Sequence, residues 1–166
     1  MKNSTAQVYK LNCACGKVQL ELAGQPIVAM TCNCESCKTA GRRLAKRPGA
    51  TTVLDSSDGT PYVMFRKDRL RCLSGETLLD EYRLKIETPT RRVVAACCNS
   101  PMFLDYTKGH WVSVYESRLR ASNAPQSMPK PKTGLFIPRL MATWMKMGFR
   151  TPRITFIKGQ RHNIGT

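Results

Sequence analysis

Seven of the eight cysteines of this chain fall into three tight groups with the spacing of metal ligands. Cys32, Cys34 and Cys37 form a C-x-C-x-x-C cluster, so three thiolates could converge on one ion. Structural zinc sites use four protein ligands, whereas catalytic sites use three and keep one position open for water or substrate. The cluster therefore predicts a zinc site that can do chemistry, with a water, an anion or a thiol in the fourth position.

Two further groups of cysteines lie outside this cluster. Cys13 and Cys15 form a C-x-C pair near the start of the chain, and Cys97 and Cys98 follow one another much later, while Cys72 stands alone. Thiolates suit zinc and iron–sulfur clusters, and iron–sulfur clusters usually take four cysteines, so zinc is the favoured metal. The alternative is a set of reduced core thiols, which would have no reason to cluster three times.

The chain shows no secretory signal and no membrane span. Residues 1–10 contain no apolar stretch, and the apolar residues 135–149 are interrupted by Pro138, Arg139 and Lys146. These features predict a cytoplasmic protein. A reducing cytosol disfavours structural disulfides, and clustered cysteines there more often bind metal.

The charge is strongly positive and unevenly placed. The formal net charge is +16, and Glu116 is the last acidic residue of the sequence. A second basic group directly follows the three-cysteine cluster and consists of Lys38, Arg42, Arg43, Lys46 and Arg47. Such a charge attracts nucleic acid, an acidic membrane surface or an acidic small molecule, and net charge alone does not choose among them.

Apolar patterns predict mostly short β-strands in the first part of the chain. Residues 7–22 are predicted to form two strands joined by a tight turn, where Gly16 can adopt positive φ. A helical turn is predicted at 35–40, ending at Gly41, and a turn at 56–59. Further strands are predicted at 26–31, 51–55, 62–65, 70–73, 79–84, 93–97, 102–106 and 111–115.

The last part of the chain has a different composition. Prolines at 125, 129 and 131 predict an extended linker, and apolar residues at helical spacing predict an amphipathic helix over 139–147. We therefore predict a β domain over 1–124 and a basic tail over 125–166. The helix is expected to pack on its own β domain or on a partner subunit, which would make a homodimer; the alternative is a membrane surface.

Taken in order, the cysteine motifs resemble those of the glutathione-dependent formaldehyde-activating enzyme family, which also includes centromere protein V. The motifs read L-N-C-A-C-G-K-V at 11–18, T-C-N-C-E-S-C-K at 31–38 and C-C-N-S-P-M-F at 97–103. The resemblance covers about residues 7–116 and implies a mostly β fold, the β-tent, in which short antiparallel strands surround two zinc sites.

The resemblance also assigns the ligands. The three-cysteine cluster would hold the catalytic zinc, and Cys13 and Cys15 would share a structural zinc with two late cysteines. Cys98 matches one of these, but Ala95 stands where the family has the other. Residues 95 and 97 share a face of a strand, so Cys97 could supply the fourth ligand. The alternative is that Cys97 is a core residue and this site is degraded or metal-free.

A second departure from the family lies inside the three-cysteine cluster. Asn33 stands where the family usually has histidine. Asparagine can form hydrogen bonds, but it cannot act as an acid or base near neutral pH. Neither His110 nor His162 adjoins a cysteine group, and both are predicted to be surface or packing residues.

The chemistry implied by the resemblance is that of a zinc-dependent carbon–sulfur lyase. Zinc deprotonates a bound thiol, so a glutathione thiolate could add to formaldehyde, and the reverse reaction would break the carbon–sulfur bond. Arg42 and Arg43 are candidates for binding the carboxylates of glutathione, the alternative being a solvated basic loop. The competing function is a non-catalytic, zinc-stabilised module whose basic surface contacts nucleic acid or another anionic partner.

Overall fold

The structure is a computed structural model that describes residues 7–121 and 135–165. The prediction of a mostly β chain is confirmed, with three α-helices accompanying ten strands in these residues. The helices are α1 (Glu35–Ala45), α2 (Glu116–Ala121) and α3 (Phe136–Lys146). The strands are β1 (Val8–Asn12), β2 (Gln19–Ala23), β3 (Val28–Cys32), β4 (Thr60–Arg66), β5 (Leu70–Ser74), β6 (Leu79–Arg83), β7 (Thr90–Ala95), β8 (Ser100–Tyr106), β9 (Trp111–Tyr115) and β10 (Arg161–Asn163).

The strands form two sheets that share one core. The smaller sheet has the order β1-β2-β5, and the larger has the order β10-β6-β7-β8-β9-β4-β3. Side chains from both sheets form one buried cluster, in which Leu11, Leu20 and Phe103 are fully buried. Burial of each such side chain stabilises the fold by about 1.5–3 kcal/mol relative to exposure.

Strand β4 shows how the larger sheet separates this core from the face that carries helices. Val63 and Phe65 point into the main core, whereas Tyr62 and Met64 lie on the opposite face, as the two-residue period of a strand requires. Tyr62 packs against Cys37 of α1, and Met64 packs in one cluster with residues of α3. Helices α1 and α3 therefore both pack on the outer face of the larger sheet.

Helix α1 is longer than the single turn predicted from the sequence. Gly41 does not end it: the residue is buried within the helix, and an added Cβ would come within 2.6 Å of the Leu54 side chain. This close packing explains the glycine. The predicted strand at 51–55 is wrong, because these residues form an irregular segment that buries Val53 against Cys37. The basic residues after the cluster thus begin on a helix, not on a solvated loop.

The end of the chain contains both a confirmed helix and an unexpected strand. The predicted amphipathic helix is present as α3, while the predicted linker and the proposed domain division at residue 124 lie outside the described residues. Beyond α3, Ile154 is buried in the main core, and β10 pairs in parallel with β6. No α-helix in the described ranges is long and apolar enough to cross a membrane.

Both histidines are packing residues, as predicted. His162 stacks on Tyr82, with 4.4 Å between ring centroids, and its Nε2 lies 2.7 Å from an Asp80 carboxylate oxygen. His110 is buried and stacks on Trp144 of α3. Neither histidine belongs to a group that could hold a metal among the described residues.

Candidate metal centres

The first cysteine cluster forms where β3 ends and α1 begins. Cys32 is the last residue of β3, Cys34 immediately precedes α1, and Cys37 lies in the first turn of the helix. The three sulfur atoms lie within 4.8 Å of one another, with 3.3 Å between those of Cys32 and Cys34. Sulfurs around one tetrahedral zinc are roughly 3.8 Å apart, given bonds of about 2.3 Å. The thiols are free and placed to share an ion.

This cluster is open to solvent on one side. Cys34 is exposed and Cys32 is partly exposed, whereas Cys37 is buried. Within residues 7–121 and 135–165, no fourth cysteine, histidine or carboxylate joins the group. A metal held by these three sulfurs would therefore have room for a further ligand from solution.

The start of α1 favours negative charge at the cluster. The free backbone N–H groups and the helix dipole stabilise anions at a helix N-terminus. Burial raises the pKa of the Cys34 thiol, but hydrogen bonds with the Ser36 hydroxyl and the Cys37 backbone more than offset this and lower it to about 7. Burial raises the pKa of Cys37 to about 12. Cys34, the most accessible thiol of this cluster, thus has a lowered pKa even without metal.

A buried polar layer lies directly beneath Cys37. The Tyr62 hydroxyl is 3.7 Å from the Cys37 sulfur, and the Tyr62 and Tyr115 rings are 5.2 Å apart between centroids. Arg92 is only 2% exposed; its Nη2 donates to the Ser36 carbonyl at 3.1 Å, and its buried Nη1 has no hydrogen-bond partner. A buried cation is costly unless an anion compensates it. Three thiolates on Zn²⁺, with net charge of about −1, would be such an anion.

The second cluster joins the β1–β2 turn to the β7–β8 turn. Its sulfur–sulfur distances are 3.6 Å for Cys13 and Cys15, 3.8 Å for Cys13 and Cys97, 3.4 Å for Cys15 and Cys97, and 3.9 Å for Cys97 and Cys98. All are close to the sulfur–sulfur distance of roughly 3.8 Å in a tetrahedral four-thiolate zinc site. The four residues present therefore fit one zinc ion.

Two left-handed residues shape these turns. Gly16 has φ of 75° and Asn99 has φ of 51°, which glycine and asparagine tolerate better than other residues. The Ser100 hydroxyl connects the turns, since it accepts a hydrogen bond from the Ala14 N–H at 3.0 Å and lies 3.1 Å from the Cys98 sulfur. Burial raises the pKa of the Cys98 thiol, but hydrogen bonds more than offset this and lower it to about 6. The hydrogen bond with the Ser100 hydroxyl makes the largest contribution among them.

The route by which Cys97 reaches the second cluster differs from the expected one. Strand β7 ends at Ala95, so Cys97 lies in the following turn and does not share a strand face with Ala95. The turn is closed by a hydrogen bond from the Cys98 N–H to the Ala95 carbonyl at 3.3 Å. The curl of this turn, not the alternation of a strand, brings Cys97 beside Cys13.

A buried arginine also accompanies the second cluster. Arg118 is 5% exposed, and its guanidinium donates to the Thr51 hydroxyl at 2.9 Å and to the Asn12 carbonyl. Burial lowers the pKa of Arg118, while the nearby thiols of Cys98 and Cys13 act to raise it. Sequence reasoning missed both buried arginines, because an arginine in an alternating strand or short helix ordinarily indicates a solvent-facing position.

The two arginines predicted to bind carboxylates lie on α1 and already have partners. Arg42 is 53% exposed in its side chain and forms an ion pair with Asp58. Arg43 donates to the Ile164 carbonyl near the end of the chain. Arg42 is thus the more accessible of the two to an anionic ligand, and Arg43 also holds the tail.

Asn33, which replaces the family's usual histidine, lies against a turn beside the cluster. An added Cβ at Gly59 would come within 2.6 Å of Asn33 Oδ1, so glycine is needed for this approach. The Asp55 carboxylate holds the turn, because it accepts hydrogen bonds from the backbone N–H groups of Ser57 and Gly59 at 2.9 Å. Asn33 therefore places an amide, which is not ionisable, beside this turn.

Comparisons with known proteins assign the chain to a family. No curated protein matches its sequence. Among solved structures, a crystal structure of a Rhodobacter sphaeroides protein is similar at 20% identity with a TM-score of 0.48, and the match covers 69% of this chain and 90% of that one. The family model described as glutathione-dependent formaldehyde-activating enzyme matches residues 8–138. The chain, with its two cysteine clusters of metal-binding geometry, therefore belongs to the glutathione-dependent formaldehyde-activating enzyme family.

Proposed function

We propose that this protein is a zinc-dependent carbon–sulfur lyase that acts on the adduct of a glutathione-type thiol with formaldehyde or a related small molecule. The observation that carries the proposal is the convergence of three thiols, with solvent access, at the start of a helix. The family to which the chain belongs supports an enzyme of this general kind. The lyase chemistry itself is what the resemblance to this family implies, and the open three-thiolate arrangement is compatible with it.

The two clusters are proposed to hold zinc for different tasks. At the open site, zinc bound by Cys32, Cys34 and Cys37 would lower the pKa of the substrate thiol. At the closed site, zinc would be structural. Its proposed ligands are Cys13, Cys15, Cys97 and Cys98.

The chain's own groups would bind and orient the substrate. The basic residues of α1 would attract an acidic thiol, and we propose that Arg42 and Arg43 bind its carboxylates, with Arg42 exchanging Asp58 for the ligand. The thiolate sulfur of the substrate would then attack the formaldehyde carbon, so that a carbon–sulfur bond forms and the former carbonyl oxygen takes up a proton. In the reverse direction that proton leaves and the bond breaks. The Tyr62 hydroxyl can hold the Cys37 thiolate throughout.

Zinc content and lyase activity together test the proposal. Protein purified without added zinc is expected to contain two zinc ions per chain, whereas Cys34→Ser should lose the ion of the open site and the activity. Cys72→Ser is the matched control, because Cys72 lies outside both clusters. Activity is measured by exchange NMR as the interconversion of glutathione and its hydroxymethyl adduct, relative to the rate without protein. Two bound zinc ions without any acceleration would favour the binding module instead.

Arg42→Gln tests the anion-binding role. KM for the glutathione adduct is expected to rise about fivefold, with kcat little changed, because a charged contact made equally in the ground and transition states is lost. The free energy of unfolding should change by less than about 1 kcal/mol, since the ion pair with Asp58 is exposed. Arg120→Gln removes a comparably exposed pair with Glu116 and should leave KM unchanged. An unaltered KM in Arg42→Gln would remove this residue from the proposed site.

A further inference from the structure

Helix α3 has a broad apolar face, and part of this face packs against the larger sheet. Leu140 is buried there in a cluster with Val28 and Met64, and Phe136 packs against the same cluster. The rest of the apolar face is exposed and remains to be explained.

Beside the packed residues lies a row of exposed apolar side chains, here called the apolar stripe. Ile137, Met141 and Met145 recur at steps of four residues along α3, and Phe149 follows the left-handed turn after the helix. The exposures of these four residues are 68%, 46%, 58% and 57% in chain order. An apolar face of this width is typically covered, so the apolar stripe marks a surface for a partner.

Positive charges flank the apolar stripe without opposing charges. Arg139, Lys146, Arg150 and Arg153 are all exposed, and none of them is ion-paired with a carboxylate of the described residues. The sequence itself contains no acidic residue after Glu116. The surface therefore combines exposed thioether and aliphatic groups with cations, and it suits a partner that is both apolar and anionic.

We propose that the apolar stripe and its flanking cations bind the surface of an anionic lipid bilayer. Amphipathic helices bind such surfaces by burying apolar side chains at the boundary of headgroups and acyl chains, while Lys and Arg contact anionic headgroups. Met and Ile side chains suit this boundary, and arginine binds phosphate through two parallel hydrogen bonds. The surface lies on α3, away from both cysteine clusters, so it is independent of the proposed lyase activity.

Charge and composition favour a bilayer over the other partners of this surface. A second copy of the chain would bring like charges together around the apolar stripe, which is unfavourable. Single-stranded nucleic acid is held by stacked aromatic side chains in a basic groove, and three of the four residues of the apolar stripe are not aromatic. An anionic bilayer uses both the apolar groups and the cations.

Sedimentation with vesicles tests the proposal. The full-length protein is expected to bind phosphatidylcholine vesicles that contain about one third phosphatidylglycerol, and to bind neutral phosphatidylcholine vesicles at least tenfold more weakly, in about 0.1 M salt. Met145→Glu should reduce binding to the anionic vesicles about tenfold or more, and Arg150→Gln about fivefold. Ile86→Glu is the control, because Ile86 is 69% exposed and lies outside α3.

Several outcomes would overturn the proposal. These are equal binding to neutral and anionic vesicles, equal loss in Ile86→Glu and Met145→Glu, or no binding at all. A dimer that Met145→Glu dissociates, seen by light scattering in the absence of vesicle binding, would assign the surface to a second copy. Zinc content and circular dichroism of each variant show that it is folded, and lyase activity should be the same in Met145→Glu as in the unaltered protein.

Discussion

Cys13→Ser is expected to remove one zinc ion per chain and to lower the melting temperature by at least about 10 °C, whereas Cys34→Ser should change the melting temperature by only a few degrees. Cys13 is 4% exposed and belongs to the main core, and the proposed site ties a turn of the smaller sheet to a turn of the larger one. Zinc binding at structural sites contributes on the order of 10 kcal/mol to folding. A loss of even half of this shifts the melting temperature by about 10–20 °C in a chain of this size.

The contrast between the two variants follows from where the clusters lie. Cys34 is exposed and its cluster bridges only β3 and the start of α1, which are adjacent in sequence. A cross-link between distant segments restricts the unfolded chain more than one between neighbours. Calorimetry and zinc analysis of both variants, with Cys72→Ser as control, measure the effect. Unchanged zinc content and melting in Cys13→Ser would show that the second cluster holds no structural metal.

The cysteine clusters were the part of the site most accessible to sequence reasoning. Spacing alone grouped the three thiols of the first cluster, and the resemblance to the family grouped the four of the second; the structure brings together the same three and four thiols. Cys97 lies in the predicted cluster, but for a different reason from the one predicted. A turn, and not the alternation of a strand, brings it to Cys13. Spacing constrains which side chains can meet, but it does not reveal the backbone path between them.

The elements that escaped prediction lack an independent local signal. Strand β10 has the sequence Arg-His-Asn, without apolar alternation, and exists because it pairs with β6. Helix α1 extends through Gly41, a residue that usually opposes helix, because the glycine allows contact with Leu54. In both cases tertiary packing overrides local preference. The burial of Arg92 is a further case, since only the complete fold shows what covers it.

Arg92→Met is expected to have opposite effects in the presence and absence of the open metal site. With zinc bound, the variant removes a buried cation that contacts the Ser36 carbonyl, between Cys34 and Cys37 of a centre with net charge about −1. It should then destabilise the protein by about 3 kcal/mol and weaken zinc binding. With both Cys32 and Cys34 replaced by serine, the same change removes a buried cation whose Nη1 has no partner, and it should be neutral or stabilising. Methionine keeps an apolar side chain of considerable length in the space beneath α1.

A double-mutant cycle separates this electrostatic role from simple packing. The free energy of unfolding is measured for the unaltered protein, Arg92→Met, the double serine variant and the combination, and competition with a chelator gives zinc affinity. Arg92→Lys keeps the charge but loses the guanidinium contact to the Ser36 carbonyl, so it should restore most of the zinc affinity and less of the stability. If Arg92→Met has the same effect in both backgrounds, the residue acts through packing and that hydrogen bond alone. A coupling of about 2 kcal/mol or more would instead show that Arg92 and the three thiolates stabilise each other, so that the metal makes the burial of this arginine favourable.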